Sequence, residues 1–311
     1  MNIDELKKIL VNFAQIENWS LQLFRINSSK DMGITYYTRE ISLHPDDTLK
    51  NIVESIVEQN VQGKNEINNI YEKIEQYDGV NIGRYIYHIS VDDPLIKEQY
   101  SLFSEKIYNP ETEIPIVDKK FSGYIIVGND KEGSSIKMVS LQNPISSYKH
   151  RTKFQFLYGD SRYEEIKEDV LQIKKYVDVI IYNDSCYMFN LNGEKLFDIE
   201  RAYKKISQER IDMVKKDGLI SDDDIFTKTA SSKHNPRKFL SFNQEHYEEL
   251  LRNKNKRNEL GIKFDIPLVG EKYDTSTERY SDNLVKLLCD KAMLEPFEQK
   301  PMEVEAAKSW R

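Results

Sequence analysis

Apolar residues recur at helical spacing in several stretches of the chain. Ile3, Leu6, Leu10 and Phe13 share one face, as do Leu49, Ile52, Val53, Ile56 and Val57. Positions i, i+3, i+4, i+7 and i+8 lie on one side of a helix, so both runs predict amphipathic helices with a buried stripe. Pro45, Asp46 and Asp47 suit the first turn of the second helix, and Gly63 its stop. Ile67, Ile70, Tyr71 and Ile74 predict another helix that ends near Asp78-Gly79, and the segment 94–107 a short one. From Asp198 to Lys216 the stripe is Ile199, Ala202, Tyr203, Ile206 and Met213. Acids at its start, lysines at its end and Asp217-Gly218 after it fit the helix dipole and a glycine stop. Tyr280, Leu284, Leu287 and Leu288 predict a last helix over 277–293.

Shorter apolar runs predict strands at 21–26, 34–41, 84–91, 121–127, 136–141 and 153–158, with a helix from about Arg162 to Tyr176. Segments 177–182 and 186–191, joined by Asn183-Asp184-Ser185, read as a hairpin. Residues 221–242 read as irregular chain, followed by a helix that Ser241 and Gln244 would box and that ends at Gly261. The fold class expected is α+β, with mixed helices and antiparallel strands. The Pro-bearing stretch 109–118 is the expected linker. It divides an N-terminal α+β domain (1–110) from a second domain (119–295), with a tail at 296–311.

The chain has 311 residues, 39% hydrophobic and 31% charged, with 13 Phe and 19 Tyr to build a core. Cys186 and Cys289 stand 103 positions apart without a CxxC, so free thiols and a reducing, cytoplasmic setting are expected. The first ten residues lack the apolar segment of a signal peptide, and no apolar run approaches the roughly 20 residues of a membrane span.

Charge is unevenly spread. Between Lys228 and Lys263 there are nine Lys or Arg against four Glu, +5 in a chain of net −7. Phosphate binding needs cations on flexible stems, and a segregated basic stretch points to a polyanion. The candidate DNA contacts are Lys233, Arg237 and Lys238 on a loop, and Lys254, Lys256 and Arg257 near a helix end. The segment 133–159 has no Asp or Glu and adds Lys149, Arg151 and Lys153. The bland reading is that such lysines are dipole partners, and that Glu248 and Arg252 cancel at i, i+4.

Catalytic motifs do not appear. GxxxxGK(S/T), GxGxxG and HExxH are absent, and the five histidines (His44, His88, His150, His234, His246) are scattered. Asp118-Lys119-Lys120 fits one element of a metal-dependent nuclease, but such tripeptides are common in a chain rich in Lys and acids. Asp222, Asp223 and Asp224 lack the Gly-turn spacing of a calcium loop and read as a solvated helix cap. No catalytic residue, metal ligand or cofactor is expected.

One block resembles a bacterial family. In VDVIIYNDSCYMFNLNGEKLFDIERAYKKISQERIDMV (177–214) an apolar strand precedes an aromatic-bearing strand, a Phe at a helix entry and a long charged helix. Here these are Val179 to Tyr182, Tyr187 to Phe189, Phe197 and Glu200 to Val214, with Phe239-Leu240 and a final helix bearing Tyr280 downstream. The pattern is similar to the KwaB-like family of the Kiwa anti-phage defence system over about 119–290. The resemblance implies a cytoplasmic subunit, a homo-oligomer such as a dimer, recruited to the inner membrane by a small KwaA-like membrane protein. It also implies binding of double-stranded DNA and obstruction of phage replication or transcription. The rival readings are a divergent metal-dependent nuclease and an interaction subunit whose basic patch meets anionic lipid or an acidic protein.

Overall fold

The computed structural model describes residues 1–16, 18–29, 33–43, 48–63, 66–79, 84–110, 121–129, 135–145, 156–159, 162–165, 173–232, 234–295 and 300–304. The fold is α+β, with sheets of mostly antiparallel strands. Two compact units divide the chain, residues 1–76 with 82–198, and residues 77–81 with 199–311.

The first unit contains α1 (Ile3–Phe13), β1 (Trp19–Ser29), β2 (Gly33–Ile41), α2 (Thr48–Val61), the short turn α3 (Ile67–Ile70), β3 (Lys73–Gln76), β4 (Tyr85–Ser90) and α4 (Lys97–Tyr108). It continues with β5 (Phe121–Asn129), β6 (Ser135–Ile145), the small hairpin β7 (Phe156–Gly159) and β8 (Arg162–Glu165), β9 (Val179–Tyr182), β10 (Ser185–Met188) and α5 (Asn192–Leu196). One eight-stranded sheet runs in the order β2-β1-β5-β6-β9-β10-β4-β3. Every neighbour is antiparallel except β3 against β4.

Alternation along the strands sends side chains to two cores. Leu21, Leu23, Tyr124, Ile126, Met138 and Ile180 join Leu6, Leu10 and Phe13 of α1 and Val53, Ile56 and Val57 of α2. The intervening residues face the other way. Phe24 meets Phe103 of α4 at 5.7 Å, and Phe103 meets Tyr36 at 5.0 Å and Phe197 at 6.3 Å. Two buried polar residues, Gln22 and Thr38, donate to the carbonyls of Ile107 and Lys106, which are left without helical partners at the end of α4.

The expected linker at 109–118 does not separate two compact bodies. Trp19 to Phe24 of β1 pair with Gly128 to Gly123 of β5, so strands from both sides of it share the sheet. Other expectations also change. Residues 73–76, read as the end of a helix, form the parallel edge strand β3, because pairing with β4 outweighs local helical spacing. Residues 162–165, read as the start of a helix, are the strand β8. The turn of the expected hairpin holds Asn183 at φ +51°, a conformation that asparagine tolerates better than most residues. Residues 44–47, 111–120 and 166–172 lie outside the described residues.

The second unit is mostly helical: α6 (Ile199–Lys216), α7 (Asp223–Ala230), the single turn α8 (Asn235–Lys238), α9 (Gln244–Arg252), α10 (Lys254–Lys263), the two-residue strands β11 (Leu268–Val269) and β12 (Lys272–Tyr273), α11 (Glu278–Leu288), β13 (Ala292–Leu294) and β14 (Pro301–Glu303). Ile211, Val214, Phe226, Phe239, Tyr247, Leu250, Tyr273, Leu284 and Leu288 make its core.

The stretch 221–242, expected to be irregular, is largely helical. The Asp222 carboxylate caps α7 by accepting from the amides of Asp224 and Ile225, the cap reading of the acidic run. The single helix expected up to Gly261 is two. Asn243 starts α9, and Asn253 ends it and caps α10 by accepting from the Lys256 amide. The expected tail is also corrected, since Pro301 to Glu303 pair with Leu294 to Ala292.

Asp178 holds together the ends of β6, β9 and β10. Fully buried, it accepts from the Leu141 amide at 2.7 Å and from the side chains of Asn190 at 2.7 Å and Asn192 at 3.1 Å. Asp178→Ala strands these donors away from water, which costs about 3 kcal/mol. Urea denaturation should show that loss in the first unit.

Candidate nucleic-acid interface

Among the predicted DNA contacts, Lys149, Arg151, Lys153 and Lys233 lie outside the described residues, as does Asp118-Lys119-Lys120. Six other cations of the 228–263 stretch pair with acids, four of them with acids that follow them in the chain. Lys228 meets Glu278 at 2.8 Å, Lys254 meets Glu271 at 2.7 Å, and Lys238 meets Glu303 at 2.7 Å. Within the stretch, Arg252 meets Glu248 at 3.0 Å, and Glu259 takes Lys263 at 2.7 Å and Lys256 at 3.8 Å. The hydrogen bonds from Lys228, Lys254 and Lys263 hold the carboxyls of Glu278, Glu271 and Glu259 below the ordinary range. Exposed pairs of this kind are weak in water and weaker in salt, yet they cancel much of the +5 seen in the linear sequence.

Arg257 requires a correction, because it is a core residue. Its guanidinium donates to the carbonyls of Leu250 at 2.6 Å and Leu251 at 2.9 Å, and the residue is 8% exposed. The break at Asn253 turns α10 so that this side chain reaches back to the last turn of α9. Carbonyls there lack intrahelical partners, so the cation serves the fold.

Arg237 and Lys238 line a cavity of about 570 Å³ in the second unit, together with His234, Asn235, Lys291, Asp282 and Glu303. The Arg237 guanidinium lies over the Tyr203 ring, 5.4 Å from its centre. Gly79, at φ +80°, permits this, since a Cβ there would come within 2.9 Å of Arg237 Cγ and 2.8 Å of Leu240 Cδ1. Lys238 is in a network with Asp282, Lys286 and Glu303. Burial acts to raise the Asp282 and Glu303 carboxyls, but hydrogen bonds from Lys286 to both, from Asn235 to Asp282 and from Lys238 to Glu303 outweigh it, and both stay below the ordinary range.

Helix α6 carries a different surface. It holds six cations against three acids, a balance of +3. Lys204 pairs with Glu200 at 2.6 Å, and Arg210 packs over Phe242 and donates to Gln244. Arg201, Lys205 and Lys216 are exposed and Lys215 is half-buried, and none of the four has an ion pair among the described residues. Sequence reasoning weighed the Lys228–Lys263 stretch and passed over this helix. The missed signal was in the apolar stripe itself, because the positions opposite Tyr203, Ile211 and Val214 include Arg201, Lys205 and Lys216, alongside Glu209 and Asp212.

Nothing assembles as a metal site among the described residues. Cys186 and Cys289 are buried free thiols, both pushed up by burial. His88 bonds Gln76 and Ser185, and burial lowers its pKa. His246 faces Asp290 at 2.9 Å.

Fold and surface thus describe an α+β chain with a helical, cation-bearing unit and no metal-ligating cluster among the described residues. The chain belongs to the Kiwa protein KwaB-like family, whose model matches residues 118–294. That family ties it to bacterial anti-phage defence of the Kiwa type. No curated protein and no solved structure matches it.

Two outcomes follow for stability. Arg257→Ala leaves the Leu250 and Leu251 carbonyls without their donor, and should lower the urea stability of the second unit by about 2–4 kcal/mol. The carboxyls of Asp282 and Glu303 have depressed native pKa values, so their contribution is present above the ordinary carboxylate range of about 4 and is lost as pH falls through the native values. Asp282→Asn should therefore cost stability at pH 7, and its difference from the natural protein should shrink in thermal melts taken from pH 5 down to pH 3.

Proposed function

We propose that this chain is the DNA-binding subunit of a Kiwa-type anti-phage complex. It binds duplex DNA without sequence preference and obstructs phage replication or transcription by occupancy, without cutting the strand. The observation that carries this reading is membership of the KwaB-like family over residues 118–294. Exposed cations on the second unit support it, since phosphate contacts need charge and reach rather than base-specific geometry. The contact set begins from Lys233, Arg237, Lys238, Lys254, Lys256, Lys149, Arg151 and Lys153. Arg257 leaves that set because its guanidinium is committed to carbonyls. No helix of the described residues is long and apolar enough to cross a membrane. In this reading the chain, as a homo-oligomer, reaches the inner membrane through a KwaA-like partner.

Gel-shift titration against plasmid, linear duplex and single strand tests the function. Affinity should be similar on unrelated sequences and should fall with salt at about −0.9 log units per log unit for each phosphate contacted. A chelator should leave binding unchanged. Nicking in magnesium or manganese would replace occupancy by nuclease chemistry. The chain expressed alone should fractionate away from membranes, and co-expression with a KwaA-like protein should move it there.

A further inference from the structure

The described cations of the second unit fall into two groups. Those of α7 to α11 are mostly neutralised by carboxylates or committed to carbonyls, with Lys272 exposed and without a pair. Those of α6 mostly are not. Arg201 and Lys205 are one helical turn apart, and Lys216 returns to nearly the same side three turns later. At about 1.5 Å per residue, the row from Arg201 to Lys216 covers about 22 Å. Phosphates of one DNA strand recur every 3.4 Å along the duplex axis, so such a row spans about six of them.

We infer that the exposed face of α6, centred on Arg201, Lys205 and Lys216, is the surface that meets the DNA phosphate backbone. This rests on the DNA-binding reading and names where the contact lies. Glu209 and Asp212 interrupt the row, and the Asp212 carboxylate accepts from Gln208 at 2.9 Å. With both counted, the face of Arg201, Lys205 and Lys216 is +1, and the helix as a whole is +3. Two features favour nucleic acid over other anionic partners. A helix that lies in a lipid interface inserts a face of large apolar residues, whereas those of α6 point inward: Ile199, Tyr203, Ile211 and Val214 are buried. No large hydrophobic residue of α6 is exposed among the described residues. Protein interfaces take most of their energy from a few anchors in which Trp and Tyr stand beside Arg, and this face carries neither Trp nor Tyr.

The test compares two variants of the full chain by gel shift across a salt series. Arg201→Ala with Lys205→Ala and Lys216→Ala should fold, because alanine is the best helix former and the sites are exposed. Far-UV circular dichroism and the melting temperature check this. This triple variant should lose about three units of salt slope and at least tenfold in affinity near physiological salt. Exchanging Arg201→Lys, Lys205→Arg and Lys216→Arg should retain the slope. Arg252→Ala with Lys263→Ala, exposed cations already paired with Glu248 and Glu259, should change it by less than one unit. A folded triple variant with an unchanged slope overturns the inference while leaving the DNA-binding reading intact. So does a triple variant that keeps DNA binding but loses binding to phosphatidylglycerol vesicles. Absence of DNA binding by the natural chain at low salt overturns the reading itself.

Discussion

The charge balance of the second unit depends on carboxylates that arrive late in the chain. Glu271, Glu278, Asp282 and Glu303 fold back on Lys254, Lys228, Lys238 and Lys286. Three local devices deliver these four acids. Glu278 and Asp282 lie on α11, whose start is set by Thr277 capping the Tyr280 amide. Glu303 comes from β14, placed by its pairing with β13. Glu271 sits in the turn between β11 and β12, beside Gly270 at φ +67°. The region that reads as a basic patch in the sequence is therefore largely offset by acids from later in the chain.

The first unit imposes a second constraint. The family match begins at residue 118, just before β5, which lies in the interior of the eight-stranded sheet. Its neighbour on one side, β1, belongs to the N-terminal stretch. Removing that stretch would expose a long apolar edge carrying Tyr124, Ile125, Ile126 and Val127, a template for aggregation. The family portion of this chain is thus completed by strands that precede it, and the N-terminal segment is part of the same folded body.

Elements with a long, regular apolar stripe were legible in the sequence. The helices α1, α2 and α6 and the hairpin β9-β10 lie within a few residues of where their periodicity places them. Elements fixed by partners were not. Residues 73–76 keep a helical spacing but are drawn into a parallel edge by β4. Asn253 looks like an ordinary helix residue, yet its side chain starts a second helix and thereby sends Arg257 inward. The candidate site failed in the same way. Counting charge along the chain finds cations, but only the fold shows which acids come to rest beside them.

That distinction decides how much each cation can contribute to holding a polyanion. A phosphate that takes Lys254 from Glu271 leaves a carboxylate beside the DNA, and the new repulsion offsets much of the new attraction. At Lys238 the exchange is harder, because the side chain is only 16% exposed and Glu303 also serves Lys286. Arg201, Lys205 and Lys216 have no such partner to displace, so a phosphate meeting them releases only solvent counterions. A protein that must hold DNA of any sequence gains most from cations of this kind, and among the described residues of the second unit α6 gathers most of them.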